Sequence, residues 1–231
     1  MHGSNILPTL PNSSWKWYTE HVSAGAQHGR DLVAERAVWD VRITQKAMVL
    51  GSRQDESLLN GEQCSRDGIE VVRRRSGGGI VFLAPGEHVW LDVVVPRGDV
   101  LWSNDVAQAS WWLGDVWVQT LNALGKNNVS VHHESLSSDQ WGDLLCFAGV
   151  GPGEVVQRND ESLSKLVGIS QRRTRDYARF QCTIYSKWNP RDVEMYVMNT
   201  PGNLSEIAHR VAVVQASQQA IVDTFVSHLP L

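Results

Sequence analysis

A chain of 231 residues with 42% hydrophobic and 20% charged residues can bury a sizeable core in one mixed α/β unit and is too apolar for a disordered chain. Its net charge of -4, with one small basic cluster at Arg73-Arg74-Arg75, excludes the broad phosphate-neutralising surface of a general nucleic-acid binder. No leader-like start and no run near the roughly 20 apolar residues of a membrane span predict a soluble, cytoplasmic protein with no membrane partner.

The first 14 residues, rich in Pro, Ser and Asn, predict an irregular arm, with order beginning near Trp15. Leu32, Val33, Ala37 and Val38 recur at near-helical intervals and predict a helix over 31–42; residues 46–51 predict a short strand closed by Gly51. A second helix is expected over 56–66. Gly68 opens a strand over 69–73 that runs into Arg74-Arg75-Ser76-Gly77-Gly78-Gly79. Residues 80–83, a turn at Pro85-Gly86 and the β-branched run 88–95 predict a hairpin. Ser103 is placed as N-cap of a long helix whose apolar face carries Val106, Ala109, Leu113, Val116, Trp117, Leu121 and Leu124, ending at Gly125. Within it, Trp112 and Trp117 are expected in the core. Strands follow at 129–133, 144–148, 154–157 and 165–169, the last pairing with 180–185, and polar residues 158–164 predict a hairpin loop. Trp188-Asn189-Pro190 ends the strand region, and Ser217 caps a last helix bearing Ala220, Ile221, Phe225 and Leu229.

Three groups of residues suggest chemistry. Three consecutive glycines remove every side chain from one bend, so that backbone N–H groups and a ligand can approach closely, and the preceding arginines suit a carboxylate or phosphate; a plain turn with solvated arginines accounts for the same residues. Lys165 and Gly168 interrupt an apolar stretch: a lysine facing a cleft can stabilise charge on an acyl group, while a lysine on an edge strand guards against aggregation. Cys146, in the run Leu144-Leu145-Cys146-Phe147-Ala148, is a candidate nucleophile or an inert buried thiol. Cys64 and Cys182 read as structural, and the three cysteines lack the spacing of a disulfide framework or zinc site. His132-His133 point to opposite faces of a strand and read as structural, Glu134, Asp139 and Asp143 as a solvated loop. No metal ligands are predicted.

The order R-R-x-S-G-G-G, then a hairpin, then K-x-x-G-x-x-Q resembles the biotin and lipoate protein ligase superfamily, which includes lipoate-protein ligases and octanoyl transferases. The resemblance implies an α+β domain over 15–231, with a largely antiparallel sheet, packed helices and no C-terminal accessory domain. It further implies that Arg73, Arg74, Ser76, Gly77, Gly78 and Gly79 line the acyl and adenylate pocket, with Glu154, Gly168 and Ser170 contributing and Lys165 contacting the activated acyl group. The activity implied first is a ligase that attaches lipoate or octanoate to a carrier lysine through an acyl-adenylate, using ATP and Mg. Where family ligases carry an Asn-Asp pair upstream of the lysine, this chain has Gly149-Val150-Gly151-Pro152-Gly153-Glu154. The arrangement Cys146-Phe147, Glu154, Lys165 is also similar to one group of octanoyl transferases, implying a thioester on Cys146 and no ATP. The partners implied are a lipoyl-domain or glycine-cleavage-H-type carrier and a separate accessory subunit; a non-catalytic binder of an acylated carrier or ligase partner is a third reading.

Overall fold

The computed structural model describes residues 14–159 and 162–231, so the expected arm, apart from Ser14, lies outside the described residues. In chain order the elements are β1 (Lys16–Val22), α1 (Ala24–Gly29), β2 (Ala37–Ile43), β3 (Ala47–Leu50), α2 (Gly61–Arg66), β4 (Glu70–Arg73), β5 (Val81–Leu83), β6 (His88–Pro96), α3 (Trp111–Ala123), β7 (Val129–Val131), α4 (Gln140–Leu144), β8 (Val155–Asn159), β9 (Ser162–Arg173), β10 (Tyr177–Tyr185), α5 (Arg191–Glu194) and α6 (Gln218–Ser227). Short 3₁₀ turns occupy Glu56–Leu58, Cys146–Ala148 and Leu204–Arg210.

The strands form two sheets. The larger has the order β1-β2-β6-β10-β9-β8-β7 and is antiparallel except where β1 pairs with β2. The smaller has the order β4-β3-β5. The fold is therefore the expected α+β class. Alternation sets the two faces of the large sheet. Val89, Leu91, Val93 and Val95 of β6, with Phe180, Cys182 and Ile184 of β10, pack beneath Leu113 and Trp117 of α3 and Phe225 of α6. The intervening residues, Trp90 and Asp92 on β6 and Gln181 and Thr183 on β10, turn to the opposite face. There Trp90 packs with Val49, Leu83 and Val72 of the small sheet.

Several elements lie where the sequence places them: β3, β4, β8, the β9–β10 pairing, and α6, whose N-cap Ser217 accepts a hydrogen bond from Ala220 N. Four expectations are corrected. The helix over 31–42 is absent; the helix lies upstream as α1, capped by Ser23, and 37–43 is a strand. β2 runs inside the sheet with both faces covered, so five of its seven residues are buried and the alternation of a half-exposed strand is lost. Residues 80–95 are not a hairpin, because β5 pairs with β3 in the small sheet while β6 joins the large one. The helix expected from Ser103 begins at Trp111. Ser103 and Asp105 instead accept from the backbone N–H of Asp105 and Ala107, local bonds that compete with helix, and Val106 is exposed. Residues 144–148 form no strand: Asp139 caps α4 by accepting from Gly142 N, and the chain then winds through the Cys146–Ala148 turn.

One buried ion pair ties α1 to the large sheet. Arg179 on β10 and Asp92 on β6 are almost fully buried and hydrogen-bonded to each other. Asp92 also accepts from Gln27 Nε2 at 2.7 Å and Trp90 Nε1 at 2.9 Å, while Arg179 donates to the carbonyl of Gln27 at 2.9 Å. Removing one partner leaves an uncompensated buried charge, so Arg179→Met should lower unfolding free energy by about 3–5 kcal/mol in urea titration; a loss below about 1 kcal/mol contradicts this role.

Candidate active site

The glycine bend is held from below by Arg74. Its guanidinium, buried against the small sheet, donates to the carbonyls of Gly77 at 2.7 Å and Gly79 at 2.8 Å. The glycines are demanded unequally. A Cβ on Gly79 would lie 2.7 Å from Cys146 N and 2.8 Å from Leu145 C, both backbone atoms. Gly78 adopts φ +96°, and a Cβ there would stand 2.8 Å from Arg74 and 3.7 Å from the Cys146 thiol. Around Gly77 the space is open. The bend thus lets the chain carrying Cys146 run directly against it, with Cys146 N bonded to Ile80 O and Ile80 N to Leu144 O.

Lys165 reaches the same place through a break in the sheet. Between Val155 and Val156 of β8, the β9 partners step from Val167 to Lys165 and leave Leu166 over. This bulge shifts the alternation by one residue, so Lys165 comes to the face of Gly168 and Ser170, where an unbroken strand would put it on the other side. Lys165 is 2% exposed. Its ammonium donates to Glu154 Oε2 at 2.8 Å and to the Cys146 carbonyl at 2.6 Å, and lies 5.1 Å from the centre of the Phe147 ring. Glu154 is held in turn by Gly151 N at 2.6 Å and Ile169 N at 3.1 Å. The loop bearing it is fixed to the end of β7 by bonds between His132 N and Glu154 O and between Gly153 N and His132 O.

Two adjoining cavities meet at these residues. A narrow apolar slot runs between the sheets, walled by Val49, Val81, Leu83, Trp90, Phe147 and Gly168 among others. A Cβ on Gly168 would come within 3.0 Å of the Phe147 ring, so only glycine leaves that wall in place. A wider cavity, more polar than the slot, is lined by Ser76, Gly77, Gly78, Gly79, Arg53 and Lys165. Cys146, Glu154, Ile169 and Ser170 border both. Ser76 and Ser170 hydrogen-bond across the gap at 3.1 Å.

Of the residues the sequence singles out, Cys146, Glu154, Lys165, Gly168, Ser170, Arg74, Ser76 and Gly77 to Gly79 converge here. Arg73 does not: it donates to the Gln54 carbonyl and pairs with Glu56, outside both cavities. Arg75 pairs with Asp31. Cys64 and Cys182 are buried, and burial pushes the Cys182 thiol up to about 12. Asp139 is more than a solvated loop residue, since beyond capping α4 it pairs with Arg210 at 2.8 Å. The sequence reading missed His28, Gln181 and Thr183, all lining the slot. Gln181 and Thr183 alternate on β10 with Phe180 and Cys182, which was a legible signal; His28 sits on a helix that was not expected.

The residues present fit a nucleotide better than its metal. The polar cavity has room and backbone N–H groups, but both Glu154 oxygens are already engaged and Asp143 accepts from Ser138. Among the described residues no group of three His, Cys, Asp or Glu converges as a metal site. Magnesium favours carboxylate and phosphate oxygens, and this site offers it no free carboxylate pair.

Gly79→Ala should destabilise the fold by about 1–3 kcal/mol, because backbone on both sides must shift, whereas Gly77→Ala should change stability by less than about 0.5 kcal/mol; equal effects in denaturant titration contradict the tight approach at Gly79. Burial also holds two histidines neutral, lowering His28 to about 3 and His88 to about 4. The unfolded chain binds protons at both near 6.5, so their contribution is present above that pH and is lost as pH falls from about 6.5 towards 4. Unfolding free energy should drop by about 2–4 kcal/mol between pH 7 and pH 5, and replacing both histidines with Gln should flatten that slope.

This geometry has relatives. The structure is similar to a bi-partite lipoate protein ligase from Thermoplasma acidophilum, with TM-score 0.69, 13% identity, and 94% of this chain and 82% of that chain covered. It is similar to lipoate-protein ligase A bound with ATP, with TM-score 0.66, 13% identity and coverage of 93% and 83%. For Plasmodium falciparum LipL1 in complex with lipoate the TM-score is 0.61, the identity 14% and the coverage 93% and 61%. At such identities the likeness establishes the fold. No protein of curated function matches the sequence. The family model described as the lipoyl protein ligase A/B catalytic domain matches residues 23–225, most of the chain, and the protein therefore belongs to that family.

Proposed function

We propose that this protein moves a linear acyl group, octanoyl or lipoyl, onto a lysine of a lipoyl-domain or glycine-cleavage-H-type carrier, with Cys146 as the covalent acceptor. The observation that carries this reading is the position of Cys146: half-buried, at the seam where an apolar slot meets a wider, more polar mouth, beside the Lys165 ammonium that holds its own carbonyl.

The chemistry is two successive acyl exchanges without change of oxidation state. The Cys146 sulfur attacks the carbonyl of an acyl thioester bound with its chain in the slot; the carbon–sulfur bond to the donor breaks, and the donor thiol leaves with the proton given up by Cys146. The carrier lysine, as a neutral amine, then attacks the enzyme thioester, an amide forms, and the amine proton returns to the Cys146 sulfur. Lys165 has three N–H donors, two of them committed to Glu154 and the Cys146 carbonyl. The third is left for the oxygen that gains charge as the carbonyl becomes tetrahedral. Arg74, Ser76 and the glycines shape the bend on which the thiol rests, and Gly168 keeps the slot open beside Phe147.

A second reading is a lipoate-protein ligase that activates the free acid as an acyl-adenylate. The room in the polar cavity and the ATP bound to a fold relative support it. The engagement of both Glu154 oxygens supports the cysteine route over it. In T. acidophilum the related ligase is bi-partite and studied with its E2 lipoyl domain, which supports a lipoyl-domain partner and a separate accessory subunit here.

Incubation with octanoyl-N-acetylcysteamine should add one octanoyl group to the protein, releasable by hydroxylamine and lost in Cys146→Ala. Lys165→Met should slow acylation about 10²–10³-fold, the cost of removing one oxyanion donor. An unmodified wild-type protein that still forms octanoyl-AMP from octanoate and ATP would favour the ligase.

A further inference from the structure

The turn that carries Cys146 is held along its length. At its start Cys146 N donates to Ile80 O, and next to that the Cys146 carbonyl accepts from the Lys165 ammonium. Its end is held by Arg210, which borders neither cavity. The Arg210 guanidinium meets Asp139 as a fork, Nη1 to Oδ1 at 3.0 Å and Nη2 to Oδ2 at 2.8 Å. Nη1 also donates to the Ala148 carbonyl at 3.1 Å. A planar fork of this kind fixes direction as well as distance. Asp139 in turn accepts from Gly142 N and so caps α4, the helix that runs into the Cys146 turn. Its bond to Arg210 holds the Asp139 carboxyl down to about 2, so the pair stays charged over the whole range in which a thiol titrates.

The segment that bears Arg210 is also registered on the lysine. Ser164 Oγ donates to His209 O, Ala212 N donates to Lys165 O at 2.9 Å, and Val211 forms a parallel bridge with Lys165. Residues 209–212 therefore back both reacting groups: their main chain fixes the strand of Lys165, and the arginine fixes the turn of Cys146. The side chains of Arg210 and Asp139 are 28% and 49% exposed. At such exposure an ion pair adds little to stability, so what the fork supplies is geometry.

We infer that Arg210 is a positioning residue for acyl transfer, setting the Cys146 sulfur against the Lys165 ammonium without touching the acyl group. This rests on the acyl-transfer reading and adds to it a residue outside both cavities. Without the guanidinium the end of the turn is released and α4 loses one of the bonds that orient it. The thiol then takes up positions from which a carbonyl under attack no longer receives the free Lys165 N–H.

The rate at which octanoyl-N-acetylcysteamine acylates the full chain, followed by intact mass, tests this. In Arg210→Met the maximal rate should fall about 10²-fold, the cost of misplacing a reacting group by about 1 Å, while KM stays within about twofold because the slot is untouched. Asp139→Asn keeps an acceptor for Gly142 N and with it the α4 cap, so the test remains available where Arg210→Met fails to fold. It should slow the same step, and the double variant should be no slower than Arg210→Met alone, since both substitutions break one fork. A maximal rate within about threefold of wild type, a loss carried by KM, or additive effects of the two substitutions overturns the inference. So does a loss of rate matched by loss of folded signal in circular dichroism. A wild-type chain that is not acylated at Cys146 overturns the acyl-transfer reading and this inference with it, whereas an acylated wild type with unaffected variants overturns this inference alone.

Discussion

The site depends on one buried ion pair, Lys165 with Glu154. Both side chains are almost fully removed from water, where an unpaired charge is costly and a paired one holds its geometry tightly. Each has commitments beyond the other: the lysine to the Cys146 carbonyl, the carboxylate to the backbone N–H groups of Gly151 and Ile169. Three neighbouring segments of the chain, the Cys146 turn, the 149–154 loop and β9, are thereby fixed around one point. The pair converts a strand, a loop and a turn into a rigid corner, and the glycine bend closes on that corner from the small sheet.

The two-sheet arrangement explains why apolar and polar chemistry meet there. One face of the large sheet is spent on α3 and α6. The other faces the small sheet across a gap, and at Gly168 the Phe147 ring packs directly on the backbone. The gap becomes the slot. Beyond the bulge on β9 the lining becomes more polar, with Lys165 and residues 77–79 contributing. In the proposed transfer, a carbonyl at the seam would have hydrocarbon behind it and the Lys165 ammonium before it, the environment in which an oriented donor acts most strongly on developing charge.

Much of this was legible in the sequence, for particular reasons. Gly77 to Gly79, Cys146, Glu154, Lys165 and Gly168 stood out because each is chemically unusual in its neighbourhood, and a family resemblance joined them. What stayed hidden arose from long-range structure. The loss of alternation in β2 comes from burial on both faces, which no local pattern separates from a helix. The departure of β5 into a second sheet depends on pairing with β3 and not on the Pro85-Gly86 turn itself. Even the face on which Lys165 lies could not be read, for the spacing of Lys165 and Gly168 puts them on opposite sides until the bulge at Leu166 is known. Arg73 and Arg74 look equivalent in sequence, yet alternation sends one to the surface and the other beneath the bend.

The mass of a carrier separates the two routes most directly. A lipoyl domain incubated with this protein and octanoyl-carrier protein, without ATP, should gain one octanoyl group on its lysine. No gain from that donor, together with gain from lipoate and Mg-ATP, would contradict the covalent role of Cys146 and leave the ligase as the activity of this fold.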